Sequence, residues 1–208
     1  MRRFFVMSSL FFFSIGLKAQ QTNSLALNLY GGYAFKDKVN FDQFYGYVDE
    51  AVQYGGGLEY FPQRTKSIEL RYLRMDTHFP LYLPNNTHLN SGNDKGSINY
   101  ILIGGNNYFG TGESKAMPYF GAGVGVGILS IKDGNSSTKF SWDAKLGVKI
   151  KTASAVSINL QAYVNYIISA VGNDFYYYYP GAVVAVPDYA SIFQFGLGGA
   201  LCFNFKKK

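Results

Sequence analysis

The chain has 208 residues, of which 15% are charged, 18% are aromatic and 24 are glycine. Ordinary soluble domains carry about 25% charged residues, so the composition argues against a soluble enzyme and fits a β-structure with one face in lipid. The formal net charge of +6 falls to +3 when Arg2, Arg3 and Lys18 are left out, and we therefore expect no nucleic-acid partner.

The N-terminal segment 1–20 has the pattern of a secretory signal peptide. Arg2 and Arg3 precede an apolar stretch from Phe4 to Leu17, and Ala19 supplies a small residue near the expected cleavage site. This stretch is too short to span a membrane as a helix. We therefore expect it to be cleaved during export through the general secretory route.

Eight later segments alternate apolar and polar residues with the period of two that a β-strand imposes. In chain order they are Leu25–Phe35, Ala51–Phe61, Ser67–Met75, Ser97–Phe109, Tyr119–Ile131, Lys139–Lys151, Val156–Ile168 and Tyr189–Phe205. A chain without helical spans can cross a membrane only as a closed barrel. The sequence therefore predicts an all-β, eight-stranded antiparallel up-and-down transmembrane β-barrel at 21–205, with a basic tail at 206–208.

The alternation also assigns each side chain to the lipid face or to the lumen. The predicted lipid-facing residues are Leu25, Leu27, Leu29, Tyr33, Phe35, Val52, Tyr54, Leu58, Tyr60, Ile68, Leu70, Tyr72, Ile98, Tyr100, Leu102, Phe120, Ala122, Val124, Val126, Ile128, Phe140, Trp142, Ala144, Leu146, Val148, Ile150, Val156, Ile158, Leu160, Val164, Tyr166, Phe193, Phe195, Leu197, Leu201, Phe203 and Phe205. The predicted lumen residues are Glu59, Glu69, Arg71, Asn99, Asn107, Asp143, Lys145, Lys149, Asn159, Gln161 and Gln194. None of the predicted lipid-facing residues is charged, as expected where Lys or Arg at the lipid midplane costs about 2–4 kcal/mol. Tyr100 and Trp142 are among the aromatics predicted for an outer interfacial girdle.

The connections between the predicted strands form two alternating sets, one short and one mostly long. The short ones are Pro62–Lys66, Gly110–Pro118 and Thr152–Ala155, and the second set is Lys36–Glu50, Asp76–Gly96, Lys132–Thr138 and Ala170–Asp188, of which three are long. Short periplasmic turns and longer extracellular loops are typical of outer-membrane barrels. An even number of strands then places both ends of the mature chain in the periplasm.

Two soluble folds compete with this interpretation. A lipocalin-like barrel turns its apolar face inward and covers its outside with charged residues, whereas the polar face here is small and rich in glycine. A secreted β-sandwich usually has more frequent turns and a denser charged surface. Both alternatives fit the pattern less well than a membrane barrel.

With these strands and connections, the chain resembles the small eight-stranded outer-membrane barrels of the OmpA and OmpX type. The resemblance covers residues 21–205 and includes the segment Pro118–Gly123 and the phenylalanine-rich closing strand Phe193–Phe205. It implies location in the bacterial outer membrane and contact with its lipids. It also implies that Phe205 is the terminal aromatic read by the barrel-assembly machinery, although three lysines follow it here. Members of the family serve as anchors, adhesins, host-interaction proteins or narrow channels.

The predicted lumen contains a cluster of six charged residues: Glu59, Glu69, Arg71, Asp143, Lys145 and Lys149. If Pro62–Lys66 is a symmetric turn, Glu59 lies opposite Glu69, and two apposed carboxylates repel unless a cation neutralises them. The cluster is either a functional site, as a polar gate or a proton-linked site, or a salt-bridged plug. The plug is favoured because buried charges need partners.

The sequence indicates no catalytic or metal site and no cofactor. Its two histidines, His78 and His88, fall in one long loop without a fixed nucleophile and acid. Its one cysteine, Cys202, can form neither an intramolecular disulfide nor a cysteine-based metal site. We therefore predict a protein that is not an enzyme, with a lipid-modifying barrel enzyme as the more remote alternative.

The loops carry the strongest signals for interaction. Phe175, Tyr176, Tyr177, Tyr178 and Tyr179 form an aromatic run, and tyrosine is favoured at interfaces. Such residues either contact a partner or pack on one another. The first hypothesis is a structural or surface-interaction protein whose extracellular loops bind a protein or lipopolysaccharide, and the alternative is a narrow porin-like channel for small solutes.

Overall fold

The computed structural model describes residues 23–41, 44–92, 94–111, 114–132, 136–168, 176–179, 182–185 and 191–205. The predicted signal peptide 1–20, Phe175 and the tail 206–208 lie outside the described residues. In that described part, the chain contains no helix with the length and hydropathy of a membrane span.

The described residues form thirteen strands. In chain order they are β1 Ser24–Ala34, β2 Asp37–Asn40, β3 Tyr45–Val48, β4 Ala51–Gln63, β5 Lys66–His78, β6 Leu81–Tyr82, β7 Lys95–Tyr108, β8 Ala116–Ile131, β9 Ser136–Lys151, β10 Val156–Ile167, β11 Tyr176–Tyr179, β12 Ala182–Ala185 and β13 Ile192–Phe205. Eight of them close an antiparallel barrel in the order β1-β13-β10-β9-β8-β7-β5-β4, and β4 returns to pair with β1. The predicted fold class and all eight predicted strands are confirmed.

The outer surface of the barrel is an apolar belt. Leucine, isoleucine, valine and aromatic side chains on this surface are exposed on every one of the eight strands, as Leu29, Leu70, Leu146 and Leu197 illustrate. Soluble proteins rarely expose contiguous apolar surface of this extent. The belt therefore fits a lipid environment, and the outward assignments are confirmed on seven of the eight predicted strands.

The prediction for the fourth segment, now β7, was wrong about which face is outward. Ile98 and Tyr100 are fully buried and Leu102 is nearly so, whereas Ile101 and Ile103 are exposed. Both alternating sets of residues are apolar here, so period alone cannot choose between them. Pairing with β5 decides the face, because Ile103 lies opposite Leu70 and Ile101 opposite Tyr72, and directly opposed residues share a face.

Three further assignments change with that face. Asn99 and Asn107 point outward rather than into the lumen, and Asn106 is the buried asparagine of β7. Tyr100 belongs to the lumen and not to the outer girdle. The register with β5 is the common cause, since one shift of parity moves every side chain of a strand to the opposite face.

A charged pair also lies on the outer face at the end of β5. Arg74 lies within the predicted segment Ser67–Met75, so the prediction of an outer face without charges was wrong at this position. The strand continues to His78, and its parity turns both Arg74 and Asp76 outward. The Arg74 guanidinium donates to Asp76 at 2.6 Å, and the Tyr54 hydroxyl donates to the same carboxylate at 2.9 Å. The pair thus lies level with an aromatic of the predicted outer girdle, where interfacial water can solvate it.

The connections differ between the two ends of the barrel. At one end, here called the turn end, short connections join β4 to β5, β7 to β8 and β9 to β10. At the other, the loop end, the first two connections form a three-stranded cap sheet in the order β2-β3-β6, and β11 pairs with β12 as a separate hairpin. The alternation of short and longer connections is as predicted, but the cap sheet was not foreseen.

Candidate functional site: a sealed ionic layer beneath an ordered cap

The six predicted lumen charges are all buried inside the barrel. Alternation carries them there from β4, β5 and β9, and glycines on β8 leave room for them. A Cβ atom at Gly121 would lie 2.6 Å from Lys145 Cε, and one at Gly123 would lie 2.6 Å from Asp143 Oδ1. The alternating glycines of β8 thus accommodate the stems of charged residues on the neighbouring strand.

Glu59 and Glu69 are directly opposed on β4 and β5, as predicted, although the turn is not symmetric because the register shifts between Tyr60 and Gln63. Neutral donors share them: Asn28 Nδ2 donates to Glu59 at 3.0 Å and to Glu69 at 2.7 Å, and Asn106 Nδ2 donates to Glu59 at 2.9 Å. The Tyr30 hydroxyl donates to Glu69 and the Tyr108 hydroxyl to Glu59. Uncharged donors therefore hold the two carboxylates together.

Two ion pairs between β5 and β9 complete this layer. Lys145 Nζ lies 2.7 Å from Glu69, and Arg71 Nη2 donates to both oxygens of Asp143, at 2.9 and 2.8 Å. Strand β5 is separated from β9 by β7 and β8. These ion pairs therefore cross the lumen, and charge-assisted bonds of this kind are the strong ones.

Lys149 lies between the ionic layer and an apolar cluster. Its Nζ is 4.0 Å from Glu59 Oε2 and has no hydrogen-bond partner among the described residues. The ammonium group is instead 4.6 Å from the centre of the Phe61 ring and 5.1 Å from that of Tyr108. Cation–π attraction of this type strengthens when the cation is desolvated. The three lumen cations thus balance the three lumen carboxylates.

Apolar clusters lie at both ends of this layer. Ala26, Phe61, Tyr108, Met117 and Tyr119 form the turn-end cluster. The loop-end cluster joins barrel residues to the cap sheet, and its members include Leu73, Met75, Ile98, Tyr100, Leu129, Ile167, Val39, Phe44, Val48, Phe79 and Leu81. An eight-stranded barrel is just wide enough for side chains to fill it. The ionic layer is therefore enclosed from both ends.

The cap sheet is attached to the barrel by polar contacts as well as by packing. The Thr77 hydroxyl donates to the Asp49 carbonyl at 2.6 Å, and the Phe193 backbone N–H donates to Asp37 Oδ2 at 2.8 Å. The buried Asn90 closes the second loop, because it accepts from Leu81 N and donates to the Phe79 carbonyl, both at 2.8 Å. The cap is thus an ordered extension of the barrel.

The outward face of the cap sheet carries a stack of rings. The Tyr82 ring lies 5.5 Å from that of Tyr45 and 4.8 Å from that of His88, in stacked orientation. Lys38 Nζ lies 4.7 Å from the Tyr45 ring and Lys36 Nζ lies 4.4 Å from the Tyr47 ring. The interpretation that loop aromatics pack on one another therefore holds for the cap.

The β11–β12 hairpin contains four of the five predicted interaction residues. Tyr176 pairs with Ala185 and Tyr179 with Ala182. In the described part of the chain, β11 pairs with β12 alone. The hairpin places its backbone donors and acceptors at two strand edges and carries no charged residue.

Comparison with known proteins defines the fold of the chain. No protein-family model matches it, and no curated protein matches it. Among solved structures it is similar to Neisserial surface protein A, with a TM-score of 0.58 and 17% identity over 87% of this chain and 97% of that one. It is also similar to the outer membrane protein OprG from Pseudomonas aeruginosa, with a TM-score of 0.54 and 15% identity over 89% and 99%.

The chain has the fold of the small eight-stranded outer-membrane β-barrels. Identities this low establish the architecture only, and function has to be argued from the site. In this outer-membrane barrel fold the turn end corresponds to the periplasmic side and the loop end to the cell exterior.

The two loop histidines lie in different surroundings. His78 Nδ1 is 3.3 Å from Asp94 Oδ1, whereas His88 stacks on Tyr82. Neither imidazole is hydrogen-bonded to a serine or threonine hydroxyl among the described residues, and these residues contain no group of three or more potential metal ligands. The described loop geometry therefore offers no assembled nucleophile, base and acid.

The closing strand places its last residues as the pattern predicts. Phe205 lies opposite Leu25 and is half exposed on the outer face at the turn end, whereas Cys202 is fully buried in the lumen. Sequence reasoning missed Asn28, Tyr30, Asn106 and Tyr108 as partners of the carboxylates. The alternation along β1 could have identified Asn28 and Tyr30, because both lie on the lumen face of that strand.

Proposed function

We propose that this chain is a non-enzymatic outer-membrane protein that presents an interaction surface on the cell exterior. The observation that carries the proposal is a lumen with buried apolar clusters at both ends of a charge-balanced layer. An interior of this kind favours a role as a rigid scaffold over a role as a channel. The proposed interaction surface is therefore at the loop end, which contains the cap sheet and the uncharged hairpin β11–β12.

The proposal includes a route to the outer membrane. Residues 1–20 act as a cleaved signal for the general secretory route, and Phe205 is the terminal aromatic that the barrel-assembly machinery reads. Outer-membrane lipids then surround the apolar belt, because that belt exposes aliphatic and aromatic side chains on every barrel strand. The lumen charges stabilise the barrel as a salt-bridged plug and do not act as a gate.

The hairpin β11–β12 is the proposed contact element. Exposed strand edges normally carry charges, prolines or bulges that prevent pairing, whereas Tyr176–Tyr179 and Ala182–Ala185 contain none. A two-stranded hairpin is also marginal by itself. The expected partner is an extended segment of another surface protein that adds a strand to this edge; lipopolysaccharide is the alternative partner.

In-cell photo-crosslinking tests this function. A photoreactive phenylalanine analogue at Tyr177 is compared with the same analogue at Asn85, an exposed residue of the other long loop. We expect a discrete protein adduct from position 177 and none from position 85. Replacement of residues 174–186 by a Gly/Ser linker is expected to abolish co-purification of the same partner. An adduct with lipopolysaccharide alone would identify the alternative partner, and equal adducts at both positions would contradict the proposal.

A further inference from the structure

A small cavity lies in the lumen between the ionic layer and the cap. Its volume is about 10 Å³, which is the room that one water molecule needs. Gln53, Arg71 and Tyr163 are among the residues that line it. They come from β4, β5 and β10, so the cavity is bounded by opposite parts of the barrel wall.

Each of these three residues has one polar atom without a partner among the described residues. These atoms are Gln53 Nε2, Arg71 Nε and Tyr163 Oη. The residues are only 4%, 3% and 5% exposed. Buried polar groups are nearly always hydrogen-bonded, and three residues with such an unpaired atom line the same cavity.

The remaining polar atoms of the same side chains are already engaged. Gln53 Oε1 accepts from Asn165 Nδ2 at 3.3 Å. Arg71 Nη2 binds both oxygens of Asp143, and Arg71 Nε is 3.7 Å from Glu69 Oε2, beyond hydrogen-bond range. The free groups are therefore two N–H donors and one hydroxyl that can donate or accept.

We propose that this cavity is a binding site for a single buried water molecule. The water accepts hydrogen bonds from Gln53 Nε2 and Arg71 Nε and donates one to Tyr163 Oη. Three bonds are typical of a buried water, and such waters satisfy groups that the protein leaves unpaired. The water links β4, β5 and β10 and keeps the Arg71 guanidinium directed at Asp143.

A small anion is the competing ligand, because two of the three groups can only donate. Charge balance argues against it. Among the residues that the structure describes, the buried lumen charges are three carboxylates, Glu59, Glu69 and Asp143, and three cations, Arg71, Lys145 and Lys149. An added anion would leave one buried charge uncompensated, which is strongly unfavourable. A neutral water meets the same donors without that penalty.

A crystal structure of the intact barrel in detergent, grown with sodium bromide, tests the site directly. We expect one water peak within about 3.2 Å of Gln53 Nε2 and Tyr163 Oη, without anomalous signal from bromide. A cavity that contains no density would overturn the proposal. An anomalous bromide peak would overturn it too, because the site would then bind an anion.

A hydroxyl deletion gives an independent measurement. Tyr163→Phe removes a partner of the water, and we expect the urea midpoint of unfolding in lipid vesicles to fall. Tyr33→Phe is the matched control, because Tyr33 is an exposed tyrosine of another barrel strand, and its midpoint should not change. If no water is bound, Tyr163→Phe only removes an unsatisfied buried hydroxyl, so an unchanged or higher midpoint would overturn the proposal.

Discussion

Glu69 receives hydrogen bonds from side chains on three other strands of the barrel. Asn28 and Tyr30 on β1, Asn106 on β7 and Lys145 on β9 all donate to its carboxylate. Burial of a carboxylate is costly, and ion pairing offsets that cost only when the remaining lone pairs are also satisfied. Glu69 has an ion pair with Lys145, and its remaining lone pairs accept hydrogen bonds from neutral donors. One side chain therefore connects four strands of the barrel wall.

Loss of the Glu69 charge is expected to destabilise the barrel. Glu69→Gln leaves Lys145 buried without its counter-charge, and breaking such a pair typically costs about 3–5 kcal/mol. The measurement is the free energy of unfolding by urea in lipid vesicles. Glu50→Gln, at an exposed acid of the first loop, is the control and should change it by less than about 0.5 kcal/mol.

A compensating variant separates charge from packing in this experiment. Glu69→Gln combined with Lys145→Met removes both partners, and a pair replaced by apolar or neutral groups is often close to neutral. We therefore expect the double variant to recover much of the lost stability. If it is no more stable than Glu69→Gln alone, the ion pair does not explain the cost.

Single residues also show how far sequence reasoning extends in this protein. The six lumen charges could be placed by parity, because a charge on the lipid face is costly and only the other face remains. Their partners could not be paired, because Arg71 and Asp143 meet across the lumen from strands with two others between them. On β4, β5 and β9 the periodicity fixes the face of each charged side chain, but it contains no information about which residues meet across the lumen.

At the scale of strands and loops, the limit of prediction is different. β7 was assigned the wrong face because Ile98, Tyr100 and Leu102 alternate with residues that are equally apolar, Ile101 and Ile103. The cap sheet was missed because β2, β3 and β6 are four, four and two residues long, too short for a reliable period. β3 and β6 also come from different loops, so only tertiary pairing unites them.

The attachment of the cap to the barrel is expected to depend on pH through Asp37. Burial raises the pKa of this carboxyl, against the opposing effect of the hydrogen bond it accepts from Phe193. A raised pKa in the folded state means that the protonated form is favoured there. The contribution of Asp37 to stability is therefore complete at a pH below its unfolded-state pKa of about 3.9. That contribution is lost as the pH rises through its folded-state pKa.

Amide hydrogen exchange in β2 and β3 measures this effect. After correction for the intrinsic pH dependence of exchange, we expect lower protection at pH 7 than at pH 4, and Asp37→Asn should remove the difference. The exposed acid Glu50 supplies the control, since Glu50→Gln should leave the difference intact. If the Asp37→Asn variant keeps the full difference in protection between pH 4 and pH 7, another titratable group causes it.

For the molecule as a whole, the interior has three successive layers along the barrel axis. The turn-end cluster around Phe61 and Met117, the ionic layer around Glu69 and the loop-end cluster under the cap each fill the section they occupy. An ion that crosses the barrel would have to displace side chains in all three. Opening only one of them is therefore not sufficient for conduction.

Planar bilayer recordings can test this layered seal. We expect the intact protein to conduct no measurable current, and a variant with residues 36–50 replaced by a short Gly/Ser linker to remain silent, because the turn-end cluster is still in place. Combining that replacement with Phe61→Ala and Tyr108→Ala, which remove two buried rings at the opposite end, should also give no current, because the ionic layer still fills the lumen. Current from this combined variant would show that the ionic layer does not block ions. Far-UV circular dichroism and the heat-dependent gel mobility of each variant establish that the barrel is folded. Conductance in the intact protein that changes with Glu69→Gln would instead make the ionic layer a gate, and the lumen rather than the loops would then be the functional site.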